Sequence, residues 1–381
     1  MMIHDIKKTE ILFYLTNLPT PRMQKHMKAA ADHGNVTVIY WKRFNIPYQT
    51  GLADKILEIP VKTSFSQKHG FFRLVGFFIY AVKSWMLMSH IKQIKKVYVN
   101  YLDVLLVAYF KFRERGAKFI YAVGDLASIQ YGGNPLVTRA VSILEKVLLK
   151  RVSVLILSSP FFWNEYYQNI YKGRWELIEN KPEAKIWADF TGKKEKVPCV
   201  VGFFGTIRDH RPILCLFQAV KELRQTGHDI RIFFAGFGPE ERIVRSYAAD
   251  LDFVFFHGPY QYNKEAPELY AKADIIFSVF DISVANAKIL LPNRFYERAI
   301  CGLPIIVAKG TKLEEYVNKY GIGYSVDYLS VRDMRNALLS YKENDSKAQQ
   351  IKKSFSFIDK PAFFYDQYYP ILSEIFMIKK K

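Results

Sequence analysis

Short apolar runs alternate with amphipathic stretches along most of the 381-residue chain. The strand-like runs of the first half lie at residues 10–15, 36–41, 97–100, 118–123, 152–157 and 175–178. After a polar stretch the alternation restarts, with strand-like runs at residues 199–204, 230–235, 253–256, 275–279 and 305–307. Continuous apolar runs of this length are typical of strands buried on both faces of a parallel sheet. We therefore predict an α/β protein with two Rossmann-like doubly wound domains; the resemblance described below implies that they face a cleft.

A polar stretch near the middle of the chain marks the predicted domain boundary. We assign residues 1–185 to an N-terminal domain, residues 186–198 to a linker and residues 199–354 to a C-terminal domain. Residues 355–381 are expected to form a helix that crosses back to the N-terminal domain. The chain length agrees with this division, because single hydrophobic cores seldom grow beyond about 250–300 residues.

Polar side chains follow several predicted strands of the first half. The residues concerned are Thr16, Asn17, Arg22, Asp103 and Asp125. Ligands of open parallel sheets bind beyond the carboxyl ends of the strands, so these residues are candidates for a binding site. The loop after the first strand lacks the G-x-G-x-x-G pattern, which argues against a dinucleotide in this domain.

The stretch from residue 291 to residue 307 combines a helix, a glycine stop and a buried strand. Pro292 suits the first turn of a helix, and Gly302 suits its C-terminal cap. Arg294 and Glu297 lie three residues apart, on one side of the helix start. A guanidinium there can bind phosphate, and a carboxylate can bind sugar hydroxyls. The alternative is a surface Arg–Glu pair on an ordinary amphipathic helix.

The net charge of +19 favours anionic partners. The basic residues are spread over the predicted helices, and the aromatic residues lie in apolar runs typical of a core. Since single-strand binders interleave basic and stacking aromatic residues, we expect a membrane surface or small anionic ligands and no nucleic acid. Cys199, Cys215 and Cys301 are scattered among apolar neighbours and are expected to be free core thiols, which suits the cytoplasm.

Residues 71–89 are the most apolar segment, and they leave three interpretations open: a domain helix, a membrane-contacting helix or a membrane span. A polar stripe at helical spacing argues for one of the first two; it consists of Arg73, Gly76, Tyr80, Lys83 and Ser84. Lysines follow at positions 92, 95 and 96, where they would attract anionic lipid. Residues 71–96 are therefore our candidate contact with an anionic membrane.

Motifs of the second half resemble those of the GT-B glycosyltransferases, specifically the family 4 (group 1) enzymes. Gly205 with Arg211 is similar to the glycine-then-lysine phosphate loop of that family, and residues 235–239 resemble its A-G-x-G-P turn. Residues 292–307 resemble its P-x-K-x-x-E and G-x-P-x-I segment. The first half agrees, since residues 100–128 resemble the family's H-x-x-D and Y-D-x-x-D-L segments.

The resemblance implies roles for the candidate residues. The predicted donor-binding residues are Gly205, Gly236, His257, Lys288, Asn293, Arg294 and Glu297. The predicted catalytic residues are Arg208 and Arg211, which would stabilise the leaving phosphates, and Asp125, which would face the acceptor. The predicted acceptor-binding residues are Thr16, Asn17, Arg22 and Asp103. No metal and no cofactor are expected, because the nucleotide-sugar is a substrate and no D-x-D pair is placed to hold a metal.

The activity implied is transfer of a sugar from a UDP- or GDP-linked donor to a saccharide acceptor, with retention of anomeric configuration. The acceptor is expected to be lipid-linked, as on polyprenyl diphosphate, in surface polysaccharide synthesis of the bacterial type. The protein would then be cytoplasmic and peripheral on the inner face of the cell membrane. The alternatives are a nucleotide-sugar epimerase of similar fold and a non-catalytic binder of polyanions. The chain departs from the family at Ile289, where an acidic residue often contacts the donor sugar.

Overall fold

Two parallel β-sheets organise the chain in the computed structural model. The structure describes residues 2–43, 52, 55–63, 71–127, 134–192, 198–357 and 359–378. Contacts divide the chain into a first unit, Met1–Glu179 with Tyr368–Lys381, and a second unit, Asn180–Gln367. The prediction of two doubly wound α/β domains is confirmed by these sheets.

The first unit is built on a seven-stranded sheet with the strand order β3-β2-β1-β4-β5-β6-β7. Its strands are β1 (Ile11–Leu15), β2 (Val36–Trp41), β3 (Ile56–Val61), β4 (Lys96–Val99), β5 (Lys118–Val123), β6 (Val152–Leu157) and β7 (Arg174–Leu177). Its helices are α1 (Met2–Lys7), α2 (Pro21–Ala31), α3 (Phe71–Ser89), α4 (Leu102–Phe112), α5 (Pro135–Leu149), α6 (Pro160–Glu165) and, from the C-terminal segment, α15 (Tyr369–Phe376). The order reverses between β1 and β4, which places a switch point there.

Strand β3, which pairs with β2 at one edge of the sheet, was not predicted from the sequence. Pro60 lies within this strand. A proline lacks the N–H that a central strand must donate, and edge strands tolerate it. The edge position therefore explains why the segment forms a strand although its sequence pattern is weak.

The second unit is built on a six-stranded sheet with the order β10-β9-β8-β11-β12-β13. Its strands are β8 (Cys199–Phe204), β9 (Ile230–Ala235), β10 (Val254–Gly258), β11 (Ile275–Ser278), β12 (Ile305–Ala308) and β13 (Gly323–Val326). Its helices are α7 (Arg211–Gln225), α8 (Glu241–Tyr247), α9 (Tyr262–Tyr270), α10 (Ala285–Ile289), α11 (Asn293–Cys301), α12 (Lys312–Tyr320), α13 (Val331–Glu343) and α14 (Ser346–Ser354). The order reverses between β8 and β11.

Helix α11 and strand β12 follow the pattern predicted for residues 291–307. Pro292 precedes the first helical residue, and Gly302 caps the helix with a left-handed φ of 67°. Phe295 packs inward and is 3% exposed. All residues of β12 are buried, because the strand lies between β11 and β13.

The division into units differs from the predicted boundaries at both ends of the second unit. Residues 180–185, which we assigned to the first domain, belong to the second unit. The Asn180 side chain donates a hydrogen bond to Asn293 at 2.6 Å, and the Pro182 carbonyl accepts one from the Tyr365 backbone at 2.7 Å. These bonds attach residues 180–185 and the segment that contains Tyr365 to the second unit.

The C-terminal helix α15 belongs to the first unit, where it packs on α2. It is shorter than the helix expected over residues 355–381, since 3₁₀ turns occupy Lys360–Phe363 and Tyr365–Tyr368. The buried Lys96 ammonium donates to the carbonyls of Ile375 and, at 2.8 Å, of Met377. A cation on these carbonyls satisfies acceptors that the helix end leaves open. The expectation that Lys96 attracts lipid is therefore wrong, because its ammonium is buried against α15.

Helix α3 turns hydroxyl groups toward the sheet and apolar side chains toward solvent. The Tyr80 hydroxyl donates to the Leu15 carbonyl at 2.7 Å, and the Ser84 hydroxyl lies 2.8 Å from that of Tyr14. The exposed side of α3 carries the large apolar side chains of Phe72, Leu74, Phe78, Val82, Trp85 and Met86. The predicted polar stripe is therefore divided, because Gly76, Tyr80 and Ser84 are buried whereas Arg73 and Lys83 are exposed.

Within the described residues, α3 is the one helix long and apolar enough to cross a membrane. Its window Phe72–Ser89 has a mean hydropathy of 1.2, and 22% of that window is buried. A core helix of a soluble protein can pass the same test. The hydrogen bonds of Tyr80 and Ser84 attach the helix to the sheet of the first unit, which does not favour a free span.

Candidate functional site

Two glycine-containing loops follow the neighbouring strands β8 and β9 of the second unit. The Gly205 N–H donates to the Ala235 carbonyl at 2.9 Å, and the Ile207 N–H donates to the Phe237 carbonyl at 3.1 Å. The strand pairing therefore continues beyond the strand ends into the loops. This pairing holds the two loops together at the carboxyl edge of the sheet.

Gly205 and Gly236 occupy backbone conformations that side chains rarely adopt. Their φ angles are +113° and +139°. A Cβ atom on Gly236 would lie 1.9 Å from the carbonyl oxygen of Gly205, far closer than real contacts. Glycine is needed at Gly236 for its conformation and for the close approach of the two backbones.

Arg294 lies at the switch point of the second sheet. Its Nη1 donates to the Phe277 carbonyl, at the end of β11, at 2.9 Å, and its Nη2 lies 3.4 Å from the Cβ position of Gly205. Its guanidinium lies 4.6 Å from the ring centre of Phe203 and 5.3 Å from that of Phe280. Burial lowers the pKa of Arg294, but arginine stays charged at neutral pH. The Arg294 guanidinium is therefore fixed at the carboxyl edge of the sheet, where open parallel sheets bind ligands.

Glu297 is one helical turn further along α11 and is 3% exposed. Its Oε1 accepts a hydrogen bond from the Tyr262 hydroxyl at 2.6 Å, and its Oε2 accepts one from the Tyr270 hydroxyl. Burial and the nearby Glu297 carboxylate raise the pKa of both tyrosines. The alternative of a surface pair between Arg294 and Glu297 is wrong, because both side chains are buried and have other partners.

Arg211, the first residue of α7, connects the loop after β8 with the loop after β11. Its Nε donates to Asp209 at 3.1 Å, and its Nη2 donates to Asp281. These hydrogen bonds raise the pKa of Arg211. Arg208 is exposed in the same loop and makes no hydrogen bond or ion pair with other described residues. The two predicted phosphate-binding arginines thus differ, one being held by carboxylates and the other facing solvent.

The remaining predicted donor residues are less closely connected. The His257 Nε2 lies 3.3 Å from Glu265, and the Asn293 side chain accepts from Asn180. Lys288 is exposed on the short helix α10, and no hydrogen bond described for it reaches the glycine loops. The structure therefore brings Gly205, Gly236 and Arg294 together, whereas Arg211 is attached to the adjoining loops through Asp209 and Asp281.

Asp209, His210 and Glu240 form a group of potential metal ligands beside the glycine loops. Their ligand atoms lie within 4.8 Å of one another. The backbone N–H and Nδ1 of His210 contact Glu240 Oε2 at 2.7 and 2.8 Å, and Asp209 accepts from Arg211. These hydrogen bonds explain why the three side chains lie close together. We therefore interpret the group as a contact that joins the two glycine loops.

The first unit gathers predicted acceptor residues at its own switch point, between β1 and β4. The Thr16 N–H donates to the Asn100 side chain at 3.4 Å. The Asn100 amide in turn donates to the Asn17 side chain at 3.1 Å. Asn100 is 2% exposed and bridges the ends of the two strands. It therefore fixes the loop that carries Thr16 and Asn17.

Charged residues surround Tyr101 at the same edge. The Arg22 Nη1 donates to the Val123 carbonyl at 3.2 Å, at the end of β5. Burial, together with the charges of Asp125 and Asp103, raises the pKa of Tyr101, whereas Arg22 acts in the opposite direction. Arg22, Asp103 and Asp125 thus all lie near one phenol, in a cluster that can bind a hydroxyl-rich ligand.

Tyr262 and Tyr270 were missed by the sequence analysis, as was the Arg211 partner Asp281. They lie 35, 27 and 70 positions from their respective partners along the chain. The pattern of α9 gave a weak signal, because a tyrosine begins and a tyrosine ends that helix. Without spatial information nothing linked either tyrosine to Glu297.

Residues 198–344 match the family described as Glycosyl transferases group 1. No curated protein sequence matches the chain. The family match covers β8 to α13 and so includes both glycine loops and helix α11.

Solved structures share the fold over almost the entire chain. Sucrose-phosphate synthase (tll1590) from Thermosynechococcus elongatus aligns with a TM-score of 0.70 and 14% identity, covering 96% of this chain and 98% of that one. Anabaena Alr3699/HepE in complex with UDP-glucose aligns with a TM-score of 0.69 and 15% identity, covering 96% and 98%. The lipopolysaccharide outer core galactosyltransferase WaaB aligns with a TM-score of 0.59 and 11% identity, covering 95% and 99%.

The shared fold shows that this chain is an α/β protein with the two-sheet GT-B fold that these glycosyltransferases have. Within that class, residues 198–344 of the second unit match the group 1 glycosyl transferases, which confirms the resemblance drawn from the sequence motifs.

Proposed function

We propose that the protein transfers a sugar from a UDP- or GDP-linked donor to a saccharide acceptor. The observation that carries this proposal is the meeting of Arg294 with the two glycine loops at the switch point of the second sheet. A match to group 1 glycosyl transferases over residues 198–344 supports it. The HepE structures in complex with UDP and UDP-glucose support a nucleotide-sugar donor.

In this proposal the donor diphosphate binds at the glycine loops. Gly205 and Gly236 let backbone groups approach the phosphate oxygens, and Arg294 supplies a positive charge. Arg208 and Arg211 stabilise the charge that develops on the leaving diphosphate, so a divalent metal is not required. Glu297 accepts hydrogen bonds from the ribose hydroxyls.

The first unit binds the acceptor in the same proposal. Asp125 orients the acceptor hydroxyl beside Arg22 and Asp103, while Thr16 and Asn17 contact other acceptor hydroxyls. Transfer occurs with retention of the anomeric configuration, on the same face of the sugar. The acceptor is a lipid-linked saccharide, such as one carried on polyprenyl diphosphate, used in surface polysaccharide synthesis.

The exposed apolar side of α3 supports a position on an anionic membrane. Leu74 and Phe78 are 67% and 69% exposed, whereas Tyr80 and Ser84 of the same helix are buried. Neighbouring cations include Lys111, whose ammonium lies 4.6 Å from the ring centre of the exposed Trp85. Apolar side chains flanked by lysines are typical of interfacial helices. We propose that the protein is cytoplasmic and binds peripherally to the inner face of the membrane.

A transfer assay tests the enzymatic proposal. Wild-type protein is incubated with UDP- and GDP-sugars and polyprenyl-diphosphate saccharides, in EDTA and in Mg²⁺, and the product anomer is assigned by NMR. We expect retention, activity in EDTA, and a loss of at least tenfold in Glu297→Gln and Arg294→Ala. Interconversion of donor sugars without acceptor would indicate the epimerase instead. Salt-sensitive binding to polyanions without any transfer would indicate the non-catalytic alternative.

Co-sedimentation with vesicles tests the membrane proposal. Wild-type protein is expected to bind vesicles containing phosphatidylglycerol, and Leu74→Glu is expected to bind roughly tenfold more weakly. Leu329→Glu is the matched control, because Leu329 is an exposed leucine of the second unit. Equal binding by the two variants, or an absence of binding to anionic vesicles, would contradict membrane docking through α3.

A further inference from the structure

Helix α5 carries an exposed apolar stripe that the proposed function does not use. The stripe consists of four residues at intervals of four, three and four along the helix: Leu136, Ala140, Ile143 and Val147. Residues at such intervals lie on one side of a helix. All four are exposed, Leu136 at 77% and Ile143 and Val147 at 56% each. Because a helix of a globular protein normally turns its apolar stripe toward the core, an outward stripe indicates a binding surface.

The charged side chains of α5 are divided by sign between the two sides of the helix. Glu145 is the only acidic residue of α5; it is buried and accepts a hydrogen bond from the Tyr167 hydroxyl at 2.7 Å. The basic residues of the helix and of its C-terminal cap are exposed: Arg139, Lys146 and Lys150. The outer side of α5 therefore combines apolar and positively charged side chains.

Helices α3, α4 and α5 form one layer on one face of the first sheet. They connect β3 to β4, β4 to β5 and β5 to β6, and each connection runs in the same direction across the sheet. Such connections between parallel strands are right-handed, so the three helices cover the same face. Helix α4 packs against both α3 and α5, and its Phe110 is 52% exposed. The stripe of α5 thus belongs to the same surface as the exposed apolar side of α3.

The charges of α5 favour one occupant for this surface. If two copies of the chain packed stripe to stripe, the cations of both α5 helices would lie near one another and repel, since Glu145 is buried. An anionic lipid surface attracts the same cations and also accepts the apolar side chains. Charge complementarity therefore favours an anionic membrane over a second copy.

We propose that α5 lies on the anionic membrane together with α3, so that the layer of α3, α4 and α5 is the membrane-facing side of the first unit. This inference rests on the proposed function, which supplies the membrane, and it adds a second contact and an orientation. Helix α5 follows β5 and leads to the parallel strand β6, so it begins at the carboxyl edge of the sheet. Lipid headgroups would then lie beside the edge that carries Asp125, where the saccharide of a lipid-linked acceptor is needed.

The experiment compares variants of the full chain by co-sedimentation with vesicles of phosphatidylcholine and phosphatidylglycerol. Ile143→Glu should bind about tenfold more weakly than the wild type, because an apolar side chain leaves the interface and a negative charge enters it. Lys146→Gln should bind about fivefold more weakly, because one cation near the anionic surface is lost. Val147→Glu is a second test of the stripe, which still decides the matter if Ile143→Glu fails to fold.

Ile243→Glu is the matched control, since Ile243 is an exposed isoleucine of α8 in the second unit. It should bind vesicles as the wild type does. Sedimentation velocity without lipid tests the other occupant. A wild-type dimer that Ile143→Glu converts to a monomer, with vesicle binding unchanged, would overturn the proposal and assign the stripe to a second copy.

The outcomes separate this inference from the proposed function. Weak binding by Leu74→Glu, together with wild-type binding by Ile143→Glu and Lys146→Gln, would overturn the role of α5 and leave docking through α3 intact. Weak binding by the variants of both helices would support a membrane-facing layer. If the wild type does not bind anionic vesicles, the membrane part of the proposed function and this inference both fail.

Discussion

Replacing Gly236 by alanine provides a direct test of the close approach between the two glycine loops. The new Cβ would lie 1.9 Å from the Gly205 carbonyl oxygen, and the residue would keep a φ of +139°. A side chain in such a conformation costs about 1–3 kcal/mol. Relief of the overlap by a backbone shift adds about 1–3 kcal/mol. We therefore expect Gly236→Ala to destabilise the second unit by about 2–6 kcal/mol.

Gly227→Ala separates the cost of the overlap from the cost of the backbone angle. Gly227 also has a positive φ, +90°, but no atom lies within 4 Å of its Cβ position. Its substitution should cost about 1–3 kcal/mol. For a domain of 150–250 residues each kcal/mol of destabilisation lowers Tm by about 2–4 °C. Differential scanning calorimetry can therefore resolve the expected difference in Tm between Gly236→Ala and Gly227→Ala.

The affinity for UDP or GDP is measured on the same two proteins. Gly236→Ala should lose at least tenfold in affinity at a temperature where it remains folded, because the loops must separate to admit the methyl group. Gly227→Ala should bind as the wild type does. Equal Tm values for the two variants would refute the argument from backbone contact, and normal nucleotide affinity in Gly236→Ala would refute the placement of the diphosphate.

Three further predictions concern buried charges. Arg294→Lys should weaken nucleotide binding at least tenfold in calorimetry with little loss of Tm, because an ammonium cannot both reach the Phe277 carbonyl and present a planar donor pair. Burial raises the pKa of Glu145 above its ordinary value of 4.5, so the unfolded chain ionises first and stability falls as pH rises through and above 4.5. The free energy of unfolding of Glu145→Gln, measured by urea titration, should therefore rise relative to that of the wild type between pH 4 and pH 7. A difference between the two proteins that stays the same across this pH range would contradict the prediction. Lys96→Met should loosen α15, which limited proteolysis would detect as faster cleavage near residue 369 than in the wild type.

The sequence predicted those strands that are buried along most of their length. The central strands of both sheets are largely apolar runs, and α11 has the proline and glycine at its ends that such a helix requires. Strand β3 was missed because Pro60 and the polar Glu58 weaken its pattern, and only its position at the sheet edge permits them. Local pattern therefore predicted the central strands of both sheets, but of the four described edge strands it predicted β7 and β10 and missed β3 and β13.

The candidate site was only partly accessible to sequence reasoning. Gly236 and Arg294 could be selected because a glycine turn and a helix start have local signatures. The hydroxyls that hold Glu297 had no such signature, since Tyr262 and Tyr270 look like ordinary aromatic residues of an amphipathic helix. The polar stripe of α3 was misread for a related reason: a tyrosine or serine can face the core when a backbone carbonyl or a second hydroxyl receives its proton.

The outward apolar side of α3 also affects how the protein can be prepared. Leu74, Phe78 and Val82 take no part in the core, so changing them together to glutamine or lysine should leave the attachment through Tyr80 and Ser84 intact. Such a triple variant should self-associate less than the parent chain when the two are compared at equal concentration without detergent, for example by light scattering. It would give crystallographers and enzymologists a detergent-free form for work with soluble acceptors.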